Sequence, residues 1–236
     1  MIERTSLHLG PYKPIRSFVE RQGKIAPAHR ALIQALWPKY SLPLIKQQLD
    51  IEQTFGRQAP VILEIGFGDG RALLANAKLH PHINFIGIEV YKAGVAKLLL
   101  GLQAEKLNNV RIYCADALEV LTNCIADQSL EQVQLFFPDP WPKLRHRKRR
   151  IMQHAFVHLI AAKLQHNGTF HMATDWEDYA AQMLNLMEAE DNWLNLAGAG
   201  QFITRPETRP LTKYEQRGHR LGYKTWDLVF RKSHNI

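Results

Sequence analysis

Residues 60–70 read PVILEIGFGDG. Pro60 opens a short apolar run, Val61 to Ile65, interrupted only by Glu64, and glycines follow at 66, 68 and 70. A brief apolar run bounded by proline and glycines reads as a strand buried on both faces. Such strands belong to parallel sheets, whose crossover helices cover both sides.

Working outward, the chain repeats that unit. Arg71–Leu79 reads as a helix, INFIGIEV (83–90) as a second strand and Lys92–Lys106 as a helix. NVRIYCAD (109–116) alternates Val110, Ile112 and Cys114, and Ala117–Cys124 reads as a helix. VQLFF (133–137) reads as a fourth strand, Arg150–Leu164 as a helix and GTFHMATD (168–175) as a fifth strand. Trp176–Glu190 is a long amphipathic helix, and LGYKTWDLVFRK (221–232) is a late strand. Strands alternating with helices predict an α/β, doubly wound fold, with ligands at the carboxyl ends of the strands. Upstream, residues 1–28 are polar, basic and broken by Gly10, Pro11, Pro14, Gly23 and Pro27, which predicts a loosely ordered arm. His29–Trp37 and Leu42–Phe55 read as two helices split by Pro38 and Pro43. The expected division is a basic arm with helices at 1–58 and one catalytic domain at 59–236.

The 236 residues carry a net charge of +8. Residues 1–58 contribute +5 and Lys143–Arg150 contributes +6, which leaves −3 for the remainder. Two basic segments on a slightly acidic body predict a polyanionic partner. No apolar run nears the ~20 residues that span a bilayer, and the amino terminus lacks the apolar core of a signal peptide. Cys114 and Cys124 are too few for a disulfide framework or a cysteine zinc site. The expectation is a soluble, cytoplasmic protein.

The acids fall at strand ends: Glu64, Glu89, Asp116, Asp139 and Asp175, one for each of the five strands. Gly66, Gly68 and Gly70 are spaced G-x-G-x-G, but Arg71 stands where a dinucleotide fingerprint wants a small residue. Glu64 and Asp69 flank the turn, so a cationic ligand suits it better than a pyrophosphate. Glu89, beyond the next strand, can accept ribose hydroxyls, and Asp116 can accept the amino group of adenine. An adenosine ligand with a positive end is S-adenosylmethionine. Residues 136–150, FFPDPWPKLRHRKRR, then place Asp139 between two prolines, beside Trp141 and the chain's densest cationic run. Pro138 and Pro140 end the strand and stiffen the turn. Trp141 offers a face on which a base could stack.

Taken together, LEIGFGDG, GIEVYKAGV, FFPDPWPKLRHRKRR, ATDWEDYA and RPLTKYEQRGHRLGYKTWDL, with RSFVERQGK near the amino terminus, resemble the bacterial tRNA (guanine-N7-)-methyltransferase family. The resemblance implies a class I methyltransferase (Rossmann-like) fold with a mostly parallel seven-stranded sheet. It implies methyl transfer to N7 of guanine 46 in the variable loop of tRNA. It implies that Glu64, Glu89, Asp116 and Asp139 surround the cofactor, with Asp139 catalytic. Lys143, Asp175, Thr212, Lys213, Tyr214 and Glu215 would meet the substrate, and Arg145, His146, Arg147, Lys148, Arg149 and Arg150 the RNA. Guanine presents two adjacent donors, N1–H and the N2 amino group, and Glu215 and Asp175 are the carboxylates that could accept both.

Eleven histidines are scattered without an H-E-x-x-H pattern, so no metal is expected. Two rival readings are an exocyclic-amine methyltransferase and a non-catalytic RNA-binding module on the same scaffold. The sequence leaves monomer and homodimer open.

Overall fold

The computed structural model of the chain describes residues 17–18, 27–207, 209–211, 215 and 222–233. Seven strands form one sheet: β1 (Val61–Ile65), β2 (Asn84–Ile88), β3 (Val110–Tyr113), β4 (Leu130–Phe136), β5 (Leu164–Thr174), β6 (Trp193–Asn195) and β7 (Trp226–Lys232). Their order across the sheet is β3-β2-β1-β4-β5-β7-β6. The first five run parallel, and β7 runs antiparallel between β5 and β6. The order reverses at β1, which pairs with β2 on one side and β4 on the other. The loop after β1 therefore opens at the topological switch point, where open α/β sheets bind ligands.

The helices are α1 (Pro27–Tyr40), α2 (Ile51–Phe55), α3 (Arg71–Leu79), α4 (Lys92–Ala104), α5 (Ala117–Asn123), α6 (His154–Lys163) and α7 (Glu177–Glu188). Strand alternation splits their packing into two cores. Leu63, Ile86, Val133, Phe170 and Leu228 face α5, α6 and α7. Phe85, Val110 and Ile112 face α1, α3 and α4, with Leu36, Leu73, Val95 and Leu98. Toward β4 and β5 the second face turns polar. Gln134 donates to Gln132 Oε1 (2.6 Å), and Gln132 donates to Thr169 Oγ1 (2.9 Å).

The amino-terminal helices differ from expectation. α1 runs through Pro38, which lies in its last turn and removes one helical bond. Burial of Tyr40, whose hydroxyl donates to Leu107 O (2.9 Å), holds the final turn. Of the predicted helix 42–55 only Ile51–Phe55 is helical, from the N-cap Asp50. The residues before it follow the sheet instead: Leu42 N–H donates to Ile112 O (2.8 Å) and Leu49 N–H to Cys124 O (2.7 Å). The predicted helix from Arg150 starts at His154, because Leu144–Arg149 forms a separate 3-10 helix. β6, three residues long, is too short to show a period.

Candidate active site

The turn after β1 needs its glycines. Gly66, Gly68 and Gly70 all adopt positive φ (73°, 58° and 75°), the left-handed region that other residues avoid. The next helix leans on that turn at a residue that spacing rules do not single out. A Cβ on Gly94 of α4 would lie 1.9 Å from Gly68 O. The sequence signal is the glycine itself, since glycine inside a helix costs about 1 kcal/mol against alanine and asks for a reason.

Glu89 closes the same loop from β2. Its Oε2 accepts from Gly68 N–H (2.7 Å), and its Oε1 from Val90 and Tyr91 N–H (2.7 and 2.9 Å). An ionised carboxylate has about four acceptor sites, so three are committed to backbone and about one is left for a ligand.

Glu64 stands on β1 opposite Gln134 of β4 in the sheet register. It is buried, and its Oε2 has no hydrogen-bond partner; neither has Gln134 Oε1. Burial first, and the charge of Glu89 second, push the Glu64 carboxyl up from 4.5 to about 8. At neutral pH it therefore keeps its proton. A proton on Glu64 facing Gln134 would satisfy two orphan acceptors at once. Asp116 caps α5, with Oδ1 accepting from Leu118 N–H (2.8 Å).

Asp139 sits in a strained turn. Phe137 and Trp141, on either side of Pro138–Asp139–Pro140, both have positive φ (53° and 42°). Non-glycine residues hold that conformation only when their surroundings over-determine it. Part of the restraint comes from Arg150, whose Nε donates to Pro140 O (2.8 Å).

The 3-10 helix sorts its cations. Residues three apart stack on one face of such a helix. Arg145 and Lys148 form the exposed face, and exposed Lys143 precedes them. His146 and Arg149 turn to Trp141: the His146 ring meets it edge-on at 5.9 Å, and the Arg149 guanidinium lies 4.4 Å over its face. Arg147 and Arg150 turn to α7, donating to Asp178 Oδ1 (2.8 Å) and Oδ2 (2.7 Å). Desolvation, then Arg145, Arg149 and Lys143, hold His146 below its usual pKa, so it adds no charge at neutral pH.

One expectation changes here. Arg150, expected among the RNA-binding cations, is turned into the protein: it is 1% exposed, its guanidinium also donates to Gln182 Oε1 (2.5 Å), and it lies 4.6 Å over the Tyr179 ring. Trp141 is half-buried, with its indole N–H donating to Ser17 O (3.2 Å) and one face under Arg149.

Asp175 and Trp176 follow β5 and are exposed. Glu215, by contrast, is buried. Its two oxygens accept from Arg209 (2.5 and 2.7 Å), which also forks onto Asp227 (2.6 and 2.8 Å). His171 meets Asp227 Oδ1 at 2.9 Å. Against the desolvation that would raise it, bonds from His171 and Arg209 hold Asp227 low. Both Glu215 oxygens are engaged by Arg209, so a two-oxygen contact with a guanine edge would have to share or displace that arginine. Thr212, Lys213 and Tyr214 lie outside the described residues.

Among the described residues no group of three His, Cys, Asp or Glu could hold a metal, and no helix is long and apolar enough to cross a membrane. His154 and His158 instead share Glu190 (2.7 and 2.8 Å).

The family model described as "Putative methyltransferase" matches residues 58–228. The tRNA (guanine-N(7)-)-methyltransferase of Hydrogenovibrio crunogenus is 52% identical over 218 residues, covering 92% of this chain and 91% of the relative. That of Escherichia coli K12 is 50% identical over 222 residues, covering 94% and 93%. In solved structures, the 16S rRNA methyltransferase KamB aligns with a TM-score of 0.58 at 17% identity, over 80% of this chain and 95% of its own. The aminoglycoside resistance methyltransferase NpmB1 aligns at 0.53 and 18%, over 79% and 94%. These two share the fold, a class I methyltransferase sheet with helices on both faces. With half of its residues shared with curated relatives over nearly its whole length, the chain belongs to the tRNA (guanine-N7-)-methyltransferase family.

Proposed function

We propose that the chain transfers a methyl group from S-adenosylmethionine to N7 of a guanine in tRNA, at position 46 of the variable loop. The observation that carries this reading is one juxtaposition. The strained Asp139 turn follows β4, the parallel neighbour of β1 with its glycine loop and buried acids, and leads into a helix that shows cations outward. A cationic nucleoside suits the first and an RNA backbone the second.

The residues present fit the cofactor. Buried Glu64, whose Oε2 has no partner, keeps its proton while no charge faces it and can offer an anion once a cation stands beside it. The glycine turn admits close backbone approach. Glu89 has about one acceptor site left for the ribose, and Asp116 stands at the end of β3 for the adenine amino group. S-adenosylmethionine supplies an activated methyl group on a positively charged sulfur.

Guanine N7 already carries a lone pair and no proton, so the chain has no proton to remove. Its tasks are alignment and charge management. Asp139 orients the base and stabilises the positive charge arriving on the imidazole ring. Asp175, exposed at the end of β5, is the better reader of N1–H and N2, because Glu215 is held by Arg209. Lys143, Arg145 and Lys148 meet phosphates.

Incubation with labelled cofactor and unmodified tRNA, followed by nucleoside analysis, tests the reading. N7-methylguanosine is expected. N-methyladenosine would give the reaction to the exocyclic-amine class, and cofactor binding without product would leave a binding module. Asp139→Ala should lose most of the single-turnover rate and keep its tRNA affinity. Methylation of tRNA carrying 7-deazaguanine at the target nucleotide would refute the N7 assignment, since carbon replaces the nucleophile.

A further inference from the structure

Asp178 lies on α7, within ATDWEDYA but with no role assigned so far, and is shared by two arginines of unlike surroundings. Arg147 is 40% exposed in its side chain, Arg150 is 0%, and Asp178 itself is 43% exposed. Hydrogen bonding to Arg150, above all, holds the Asp178 carboxyl below the usual range, so it is ionised at neutral pH. Arg150 in turn has three anchors in three directions: Asp178, Gln182 and the carbonyl of Pro140. The first two lie on one rigid helix, and the third is the last residue of the Asp139 turn.

We propose that Asp178 and Arg150 are positioning residues that couple tRNA binding to the catalytic turn. Asp178 competes with RNA phosphate for Arg147 and, through its other oxygen, aims the buried guanidinium at Pro140 O. A phosphate that draws Arg147 away leaves Asp178 wholly to Arg150, and the turn is held most firmly when RNA is in place. The phosphate face and the catalytic turn are linked through the protein by two side chains, neither of which touches the reacting atoms. The inference rests on the reading of Asp139 as the residue beside the transferred methyl group.

That linkage gives Asp178→Ala opposite effects on binding and chemistry, a pattern that general loosening does not produce. Arg147 is released to a phosphate, so tRNA should bind severalfold tighter, and the log–log salt slope should steepen by about 0.7–0.9. Arg150 loses its charged anchor, so the single-turnover rate at saturating tRNA should fall about tenfold, as expected of a small misplacement near reacting atoms. Arg150→Lys keeps the charge but cannot reach three acceptors at fixed angles. It should lose rate with unchanged salt slope and unchanged S-adenosylmethionine affinity, which also reports an intact fold. Asp178→Glu should recover part of the rate. Weaker tRNA binding in Asp178→Ala, or a rate fully restored by excess tRNA, would overturn the coupling. Wild-type protein assayed alongside separates the two readings: without N7-methylguanosine there, the function fails, whereas normal product with unchanged variants sinks only the coupling.

Discussion

Glu64→Gln should stabilise the ligand-free protein, and more so as pH rises. The Glu64 carboxyl is 3% exposed, and burial, then Glu89, push it from 4.5 to about 8. Between those two values the folded chain keeps a proton that the unfolded chain has lost. Folding then takes up a proton, so stability falls as pH rises, by ~1.4 kcal/mol per unit, and levels off above about 8. From pH 5.5 to 8.5 this one carboxyl should remove roughly 3 kcal/mol, of the order of a third of a typical domain's stability. Glutamine has nearly the same shape, is neutral throughout and can still donate to Gln134 Oε1. The other titrating groups are common to both proteins and cancel in the difference. Urea unfolding of wild type and variant at the two pH values, with m-values checked for equality, measures that difference. A wild-type-minus-variant gap that stays within about 0.5 kcal/mol across the range would refute the argument. Glu64 would then be ionised in the fold, with a partner that its environment does not show.

Other perturbations test the neighbouring parts. Glu89→Ala removes the acceptor of three backbone N–H groups and should weaken S-adenosylmethionine binding by about ten- to a hundredfold, since a lost charged hydrogen bond costs ~1.5–3 kcal/mol; calorimetry showing wild-type affinity in a folded variant would contradict it. Gly94→Ala should also cost cofactor affinity, because its methyl group would sit 1.9 Å from Gly68 O, although alanine favours the helix. An unchanged dissociation constant there would mean that α4 does not support the loop. The double variant Arg145→Ala/Lys148→Ala should flatten the salt slope of tRNA binding by about 1.4–1.8, and an unmoved slope would show that the exposed face of the 3-10 helix does not hold phosphates.

The sheet was legible because its signals are local: short apolar runs, punctuated by proline and glycine, with helical periods between them. The segment before α2 was not, because its backbone bonds go to Ile112 and Cys124, some 70 residues away in sequence. The strand-end acids were legible as a set, since position alone carries that pattern. Their separate environments were not: nothing in the letters distinguishes Glu64, orphaned beside Gln134, from Glu89, satisfied by three amides. The cationic run shows the same limit. Charge density predicted a polyanion surface, but the phase of the 3-10 helix decides which cations reach it, and it turns Arg150 inward. Glu215 was read as a candidate for the guanine edge because nothing in the letters ties it to Arg209, six residues earlier and one of several nearby arginines; only folding shows which one meets it.

The unlike environments of the acids also bear on how the site distinguishes its charged ligand from the neutral thioether left after transfer. With a cationic ligand end nearby, Glu64 gains by ionising, and its proton goes to solvent. If the sulfonium is the charge that faces Glu64, transfer removes it, and a carboxyl with a pKa of about 8 takes a proton back at neutral pH; the ammonium of the ligand's amino-acid end survives transfer, and a Glu64 facing that group instead would stay ionised with both ligands. With the sulfonium in that place, Glu64 would be ionised only while the methyl group is still on sulfur. If S-adenosylmethionine binds only the ionised carboxyl, its affinity should strengthen by nearly tenfold per pH unit from about 6 toward 8 and then level off. With the sulfonium as the partner, binding of the thioether should stay nearly flat over the same range. Calorimetric titrations of both ligands at several pH values, in buffers with different ionisation heats, follow affinity and proton release together. Parallel pH profiles for the two ligands would show that Glu64 does not sense the charge. In Glu64→Gln both profiles should be flat, and a surviving slope for the charged ligand would move the sensing to another acid of the ring.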